Sequence, residues 1–419
     1  MIQKPRGTQD IFEIKSKQYN DLENTIINVL KTYNLNEIRT PIFEAKELFV
    51  RSVGETSDVV SKEMYEFFDK KGREFVLRPE GTAPIVRSLI ENKLYAPEFL
   101  PLKLYYVGPM FRYERPQTGR YRQFEQIGVE ILGVDSVYQD IEILAMLDSI
   151  TKAIKIDTKV ELDLNYLVTG KQREIYIKEL TKFLVDFDDL CDDCEVRIHK
   201  NPLRTLDCKI DFNKFKTAPK MTSFLSKEDE ARFQQILEAG KKIGLKININ
   251  QRLVRGLDYY TGLIFELKYL ESSLGSQSTI IAGGRYNNLV KDLDGPDLPA
   301  IGFAMGVERL ILILEENQIN LNHDHGIDLY TIALSPEAMI LNLEIIRDLR
   351  NNNIKVETDY LNRSLKSNFK QAEKLQAKNV IVIGDNEIET QKIVIKNQIN
   401  KTQTEVKISD LVEEMKAGK

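Results

Sequence analysis

Residues 107–133, VGPMFRYERPQTGRYRQFEQIGVEILG, constrain this chain more than any other stretch. An apolar and aromatic run breaks at Pro116 and Gly119, then resumes with a two-residue alternation. The pattern predicts a strand, a loop and an antiparallel return strand, with Pro and Gly supplying the turn. Alternate strand residues share a face. Ile127, Val129 and Ile131 therefore make one apolar side of the return strand, and Arg122, Phe124, Gln126, Gly128 and Glu130 make the other. On the incoming strand Arg112 and Glu114 share a side. One concave face would thus present arginines, a ring, an amide and two carboxylates, with Gly128 leaving room for a ligand. Taken alone, such a hairpin reads as solvated surface. The clean apolar reverse side argues instead for a face that takes a nucleotide and a small polar partner.

The order F-R-x-E-R-P, G-R-Y-R-Q-F, Q-I-G-V-E closely resembles the second signature motif of class II aminoacyl-tRNA synthetases, in the variant of the histidyl enzymes. The totals agree with a soluble enzyme of two or three domains. The chain has 419 residues, 42% apolar and 29% charged, with a net charge of −5. That charge argues against a protein that coats nucleic acid indiscriminately, though not against a local basic patch. No apolar run is long enough to span a bilayer, and the first ten residues lack a signal-peptide core. Three cysteines exclude a disulfide framework, so a cytoplasmic location is expected. Of the histidines His199, His323 and His325, two lie in NHDHG, which reads as a linker. The chemistry therefore has little access to an imidazole base.

Taken in order, residues 16–33 place Tyr19, Leu22, Ile26, Val29, Leu30 and Tyr33 at helical spacing. Residues 34–44, NLNEIRTPIFE, are extended, and Pro41 confines them to an edge or interface. The resemblance reads this helix and strand as the first class II motif and implies a homodimer. In FVLRPEGTAPIVR, residues 75–87, a strand runs into a turn, with Thr82 as the expected cap of the next helix. The resemblance puts Glu80, Gly81 and Thr82 in the amino-acid pocket. Residues 140–154 are expected to be helical and 158–164 to be a strand. Residues 168–248, rich in charge and helix formers, read as a helical insertion within a catalytic domain of residues 1–325.

That insertion holds Cys191-Asp192-Asp193-Cys194, with His199 and Cys208 nearby. The spacing matches no standard zinc finger, and the aspartates disfavour a low thiol pKa. Buried or incidental thiols are expected, and no metal ligand is assigned. Further on, R-G-L-D-Y-Y at residues 255–260 and A-G-G-R-Y at residues 282–286 resemble strings particular to histidyl-tRNA synthetases. The family usually continues with Asp-Gly where this chain has Asn287-Asn288, and often has His in place of Glu125. The first change touches a turn. The second points away from the pocket face, so a tolerated change is expected; the alternative is an effect on how the tRNA's terminal adenosine is met. AIGFAMGVERLILIL, residues 300–314, turns from strand to helix at Gly306 and puts Arg309 in the first helical turn, where an anion is favoured. It matches the third class II motif.

Residues 326–419 alternate strand and helix, which means an α/β domain. In it Arg363, Lys366, Lys370, Lys374 and Lys378 recur as a basic stripe, with Leu365, Phe369, Ala372 and Leu375 on a core-facing side. A charged stripe is commonly a solvated face; its unbroken sign favours phosphate contact. In the family this domain binds the anticodon stem-loop, and Arg363, Lys366, Lys370 and Lys374 are the candidate tRNA contacts.

The whole resemblance implies an α+β antiparallel catalytic core with a helical insertion and a C-terminal α/β anticodon-binding domain. It implies ATP-dependent activation of L-histidine and transfer to its tRNA, with Mg²⁺ carried mainly on the ATP phosphates. Arg112, Arg255 and Arg309 are the catalytic candidates. Arg112, Glu114, Arg120, Phe124 and Arg309 would hold ATP. Glu80, Gly81, Thr82, Arg112, Gln126, Glu130, Arg255, Tyr259, Tyr260 and Tyr286 would hold histidine. The substrate carboxylate attacks already ionised, so no general base is needed. The alternative is a non-catalytic, synthetase-like regulatory subunit of ATP phosphoribosyltransferase. It would be expected to lack the last domain and to lose the arginines. A class II enzyme for another amino acid is disfavoured by Gln126 and Glu130.

Overall fold

The structure, a computed structural model, describes residues 1–54, 57–271, 278–321 and 326–417. The linker NHDHG lies outside the described residues except for its final glycine. The chain divides into two compact units, Met1–Leu321 and Asn322–Lys419.

An eight-stranded sheet organises the first unit. Its spatial order is Asn36–Glu37, Leu102–Phe111, Gln123–Leu132, Ala300–Gly306, Thr279–Arg285, Thr261–Tyr269, Val160–Leu167, Ile247–Ile249. Neighbours are antiparallel except at the two short edge strands, which add in parallel. The hairpin expected at residues 107–133 forms with Tyr106 opposite Gly128 and Leu104 opposite Glu130. One face of the sheet is apolar. Ile127, Val129, Ile131, Leu164, Phe265, Ile301, Phe303 and Met305 pack there against helices Glu13–Thr32, Val137–Ala153 and Val307–Glu316. Helix Glu13–Thr32 buries Tyr19, Leu22, Ile26 and Leu30 at the spacing read from sequence. The Val137–Ala153 helix starts three residues before the expected boundary because the Ser136 side chain accepts the Tyr138 N–H at 3.2 Å.

A smaller sheet, Phe43–Ala45, Glu74–Leu77 and Tyr65–Phe68, precedes helix Thr82–Glu91. Here the capping expectation is corrected. Thr82 is already inside the helix, and the Glu80 carboxylate caps it, accepting the N–H groups of Thr82 and Ala83 at 2.8 Å each. Within residues 168–248 lie helices Gly170–Leu184, Asp192–Lys200 and Lys227–Lys242. The first two share a core with Tyr176, Leu180, Leu184, Ile198, Phe215 and Met221. The third buries Phe233 and Ile236 in the main core instead.

In the second unit the strand order is Val356–Thr358, Leu329–Ala333, Asn379–Ile383, Lys392–Asn397, Gln403–Lys407. The first three are parallel, as strand–helix alternation requires, and the last two close as an antiparallel hairpin. Strand Gln403–Lys407 was not legible in sequence because its polar residues sit on an exposed edge. The basic stripe is shorter than read. Helix Leu365–Lys374 begins after Arg363, which pairs with Asp359 at 2.6 Å, and Lys378 lies beyond it, paired with Asp328 at 3.4 Å. Leu365, expected in the core, is exposed. Asn368 is buried in its stead, accepting the Tyr330 hydroxyl at 2.9 Å.

Candidate active site

The polar face of the main sheet floors a cleft of about 640 Å³. At its closed end Glu130 is fully buried, on the strand face opposite the core. Thr82 Oγ1 donates to its Oε1 at 2.7 Å, and the Tyr286 hydroxyl donates to its Oε2. Gly302 on the adjacent strand makes space for this carboxylate, since a Cβ there would lie 1.9 Å from Glu130 Oε2. Burial pushes the Glu130 carboxyl up to about 8, even though the Tyr286 and Thr82 hydrogen bonds pull the other way. Burial likewise raises Glu80, against the backbone N–H groups that it caps. Tyr259 packs between Tyr260 and Tyr286, tilted 44° to the first and edge-on to the second, with centroids at 4.7 and 5.6 Å.

Gly128 has a different role from the one expected. A Cβ on Gly128 or on Gly81 would meet the Tyr106 ring at 2.3 Å. Both glycines thus admit Tyr106, whose hydroxyl donates to Gln126 Oε1 at 2.9 Å. The room at Gly128 belongs to a protein side chain and not to a ligand. Tyr106 is a site residue that sequence reasoning missed. Its signal was present as the residue opposite Gly128 in a hairpin, but the register was needed to see it.

The open end is cationic. Arg309 Nε donates to the Gly119 carbonyl at 3.2 Å and its Nη1 to the Thr279 carbonyl at 2.6 Å. Burial, then the charges of Arg120 and Arg112, hold its guanidinium down at about 10. Arg120 pairs with Glu114 and with Glu63, and Arg112 Nε donates to the Pro79 carbonyl at 2.9 Å. The Arg112 guanidinium stands 5.6 Å from the Phe124 ring centre. Lys209, also missed from sequence, joins this group; burial and the nearby Arg120 lower its ammonium. Between the two ends Arg255 pairs with Glu266, while its buried Nε has no hydrogen-bond partner. Like charges gathered in a low-dielectric cleft and a buried donor left over describe a seat for a polyanion.

The cleft therefore brings together Glu80, Thr82, Arg112, Glu114, Arg120, Phe124, Gln126, Glu130, Arg255, Tyr259, Tyr260, Tyr286 and Arg309. Gly81 stands behind Tyr106. Arg363, Lys366, Lys370 and Lys374 belong to the other unit, where the three lysines are exposed. Glu125 does not line the cleft; its N–H donates to Glu308 at 2.9 Å. Asn287 serves the turn, its Oδ1 accepting the Ala300 N–H at 3.2 Å. His199 is exposed and away from the lining, so no histidine among the described residues reaches this cleft.

Comparisons with known proteins agree over the full length. A family model described as Histidyl-tRNA synthetase matches residues 7–169 and 205–310, and one described as Anticodon binding domain matches residues 328–418. The chain is 52% identical to a histidine–tRNA ligase of Mesoplasma florum over 419 residues, covering 100% of this chain and 91% of that one. It is 44% identical to a histidine–tRNA ligase of Staphylococcus aureus over 420 residues, covering 99% and 100%. A solved structure of apo histidyl-tRNA synthetase from S. aureus superposes with a TM-score of 0.85 at 39% identity, covering 99% and 100%. A Bacillus halodurans protein described as an ATP phosphoribosyltransferase regulatory subunit/histidyl-tRNA synthetase superposes at 0.65 and 21% identity, covering 91% and 98%. That last likeness shows a shared fold.

Proposed function

This chain belongs to the histidyl-tRNA synthetase family, and we propose that it ligates L-histidine to its cognate tRNA through a histidyl-adenylate. The observation that carries this reading is the division of one cleft into a buried polar end and an arginine-rich end, with Arg255 between them. The histidine carboxylate attacks the α-phosphate of ATP in line and expels pyrophosphate. Its nucleophile is already ionised, so catalysis is positioning plus stabilisation of phosphate charge.

In this assignment Arg112 and Arg255 act at the α-phosphate, and Arg120 and Arg309 hold the outer phosphates. Phe124 stacks on adenine and Glu114 accepts from its amino group, which requires the Glu114–Arg120 pair to loosen as nucleotide enters. Glu80 and Thr82 hold the α-amino group; Gln126, Glu130, Tyr259, Tyr260 and Tyr286 enclose the imidazole. A pocket that hydrogen-bonds polar ring atoms rejects analogues by roughly 10⁴–10⁵. Among the described residues no cage of carboxylates gathers in this cleft. The residues thus fit Mg²⁺ as an ion borne by phosphate, with Glu266 as a protein ligand, and it would neutralise phosphate charge there.

The second unit meets the anticodon stem-loop through Lys366, Lys370 and Lys374, with Arg363 just before that helix. Two copies pair through the small sheet, whose Phe43, Phe67 and Phe68 are exposed together with the adjoining Ile42; sedimentation of the purified chain as a monomer would reject that pairing. No described helix is long and apolar enough to cross a membrane, which fits a cytoplasmic enzyme. The domain limits that go with this reading are residues 1–325, with the insertion at 168–248, and residues 326–419.

The test is amino-acid-dependent ATP–pyrophosphate exchange across all twenty amino acids. Exchange with histidine alone, reduced about 10²-fold or more in Arg255→Ala, is the expected result. Histidine binding without exchange would favour the regulatory-subunit reading, against which the retained arginines and the second unit now count.

A further inference from the structure

Cys191 and Cys194 fall between the two segments that the family model matches, and neither thiol has a part in the cleft chemistry above. The fold brings them to Cys208 and Asp211. One ligand-type atom from each of the four residues lies within 4.8 Å of all the others. The Cys191 and Cys208 sulfurs are 3.6 Å apart, and Cys208 Sγ is 3.9 Å from Asp211 Oδ2. A tetrahedral zinc ion with Zn–S bonds of about 2.3 Å has ligand–ligand edges of about 3.8 Å. The cluster already has that scale.

Two further observations point to a cation. The four donors form two pairs of equal spacing, C-x-x-C at 191–194 and C-x-x-D at 208–211, on two separate turns. In each pair the N–H of the second residue points at the sulfur of the first: Cys194 N–H to Cys191 Sγ, and Asp211 N–H to Cys208 Sγ at 3.3 Å. Backbone donors aimed at sulfur suit a ligating thiolate, although burial without an ion keeps Cys191 and Cys194 protonated. The Asp211 carboxylate is almost fully buried and takes the Cys191 N–H at 2.9 Å, which fixes the direction of its Oδ2. Once ionised as ligands, three thiolates and a carboxylate at this spacing would be held together by the cation between them. Lys214, 3.1 Å from Asp211 Oδ1, offsets one of those charges.

We propose that Cys191, Cys194, Cys208 and Asp211 bind one structural Zn²⁺. The three thiols lose their protons to solvent as the ion enters, and all four positions are filled by protein, so no site is left open for a substrate. Sulfur-rich tetrahedral donors select zinc over the oxygen-seeking Mg²⁺. The ion would tie the start of helix Asp192–Lys200 to the 208–211 turn. Between these lie Arg204 and Asp207, and with them Lys209, all lining the cleft.

The test is metal content of the full chain purified under reducing conditions without chelator, followed by cobalt substitution. One zinc per chain is expected, together with the visible bands of tetrahedral cobalt and a thiolate charge-transfer band. Cys208→Ser should lose the metal. Asp211→Cys should keep it and strengthen the charge-transfer band as three thiolates become four. If Cys208→Ser does not fold, the wild-type cobalt spectrum and the Asp211→Cys comparison still decide. Iron in place of zinc, a Cys191–Cys208 disulfide as the resting state, or three thiols that modify at equal rates with and without chelator would each overturn the proposal.

Discussion

Glu130 concentrates what a single residue does here. Its carboxyl is raised from 4.5 to about 8 by burial. Between those values the folded chain keeps a proton that the unfolded chain has released. This residue's stabilising contribution is therefore complete below the lower value and is lost as pH rises through the upper one. Glu130→Gln removes the titration. The thermal midpoint of wild type relative to the variant should fall steadily as pH rises across that window, and a gap that does not change with pH would refute the assignment. Above the upper value, where wild type is a carboxylate, the same variant should lower histidine-dependent exchange by about 10–100-fold in kcat/KM, since the amide replaces one of two buried acceptor oxygens at a cost of about 1–3 kcal/mol. Gly128→Ala tests the glycine's reassigned role. The new methyl collides with Tyr106, so urea unfolding should report a loss of about 1–3 kcal/mol. An unchanged midpoint would mean that the ring moves freely.

At the scale of the element, the proposed function makes helix Leu365–Lys374 the place where tRNA recognition separates from amino-acid activation. Its lysines 366, 370 and 374 are exposed on a helix whose Asn368 and Ala372 are buried. Replacing all three with alanine should weaken tRNA binding and flatten its logarithmic salt dependence by about 2–3 units, at just under one per phosphate contact. ATP–pyrophosphate exchange should not change, and a parallel loss of exchange would argue that the helix supports the fold instead. This element also marks how far periodicity can be read. The stripe's interior was legible because charge recurs every three or four residues. Its ends were not, because Ser364 caps the helix, accepting the Ser367 N–H at 3.3 Å, and leaves Arg363 outside. Leu365 was misassigned for the same reason: at the first helical position its direction is set by the cap and not by the period.

For the whole molecule, the proposed function assigns two binding tasks to two units with separate cores on an acidic chain of net charge −5. Histidine and ATP together should protect amides in residues 80–83, 123–132 and 255–269 from hydrogen exchange and leave residues 365–374 unchanged. Ligand at about 100 times its Kd stabilises the unit that binds it by about 2.7 kcal/mol. Protection spread equally over both units would contradict that division.

The sequence by itself determined the fold class, the main helices and strands, and the polar candidates that the fold gathers in the cleft. Strand alternation, helical spacing and short strings such as RGLDYY are local properties of the chain, and local propensity agrees with the final fold across most of its length. Tertiary structure alone decided which residues meet across strands and turns. Tyr106 fills the space of Gly128 and Gly81 because hairpin register and the turn before helix Thr82–Glu91 converge on one ring. Glu80 caps that helix, which frees Thr82 to serve Glu130. Asp211 becomes the fourth member of a three-cysteine cluster because two turns of residues 191–211 fold onto each other. Each of these depends on contacts between residues far apart in the chain or on the exact direction of one side chain, and neither quantity has a period that a sequence displays.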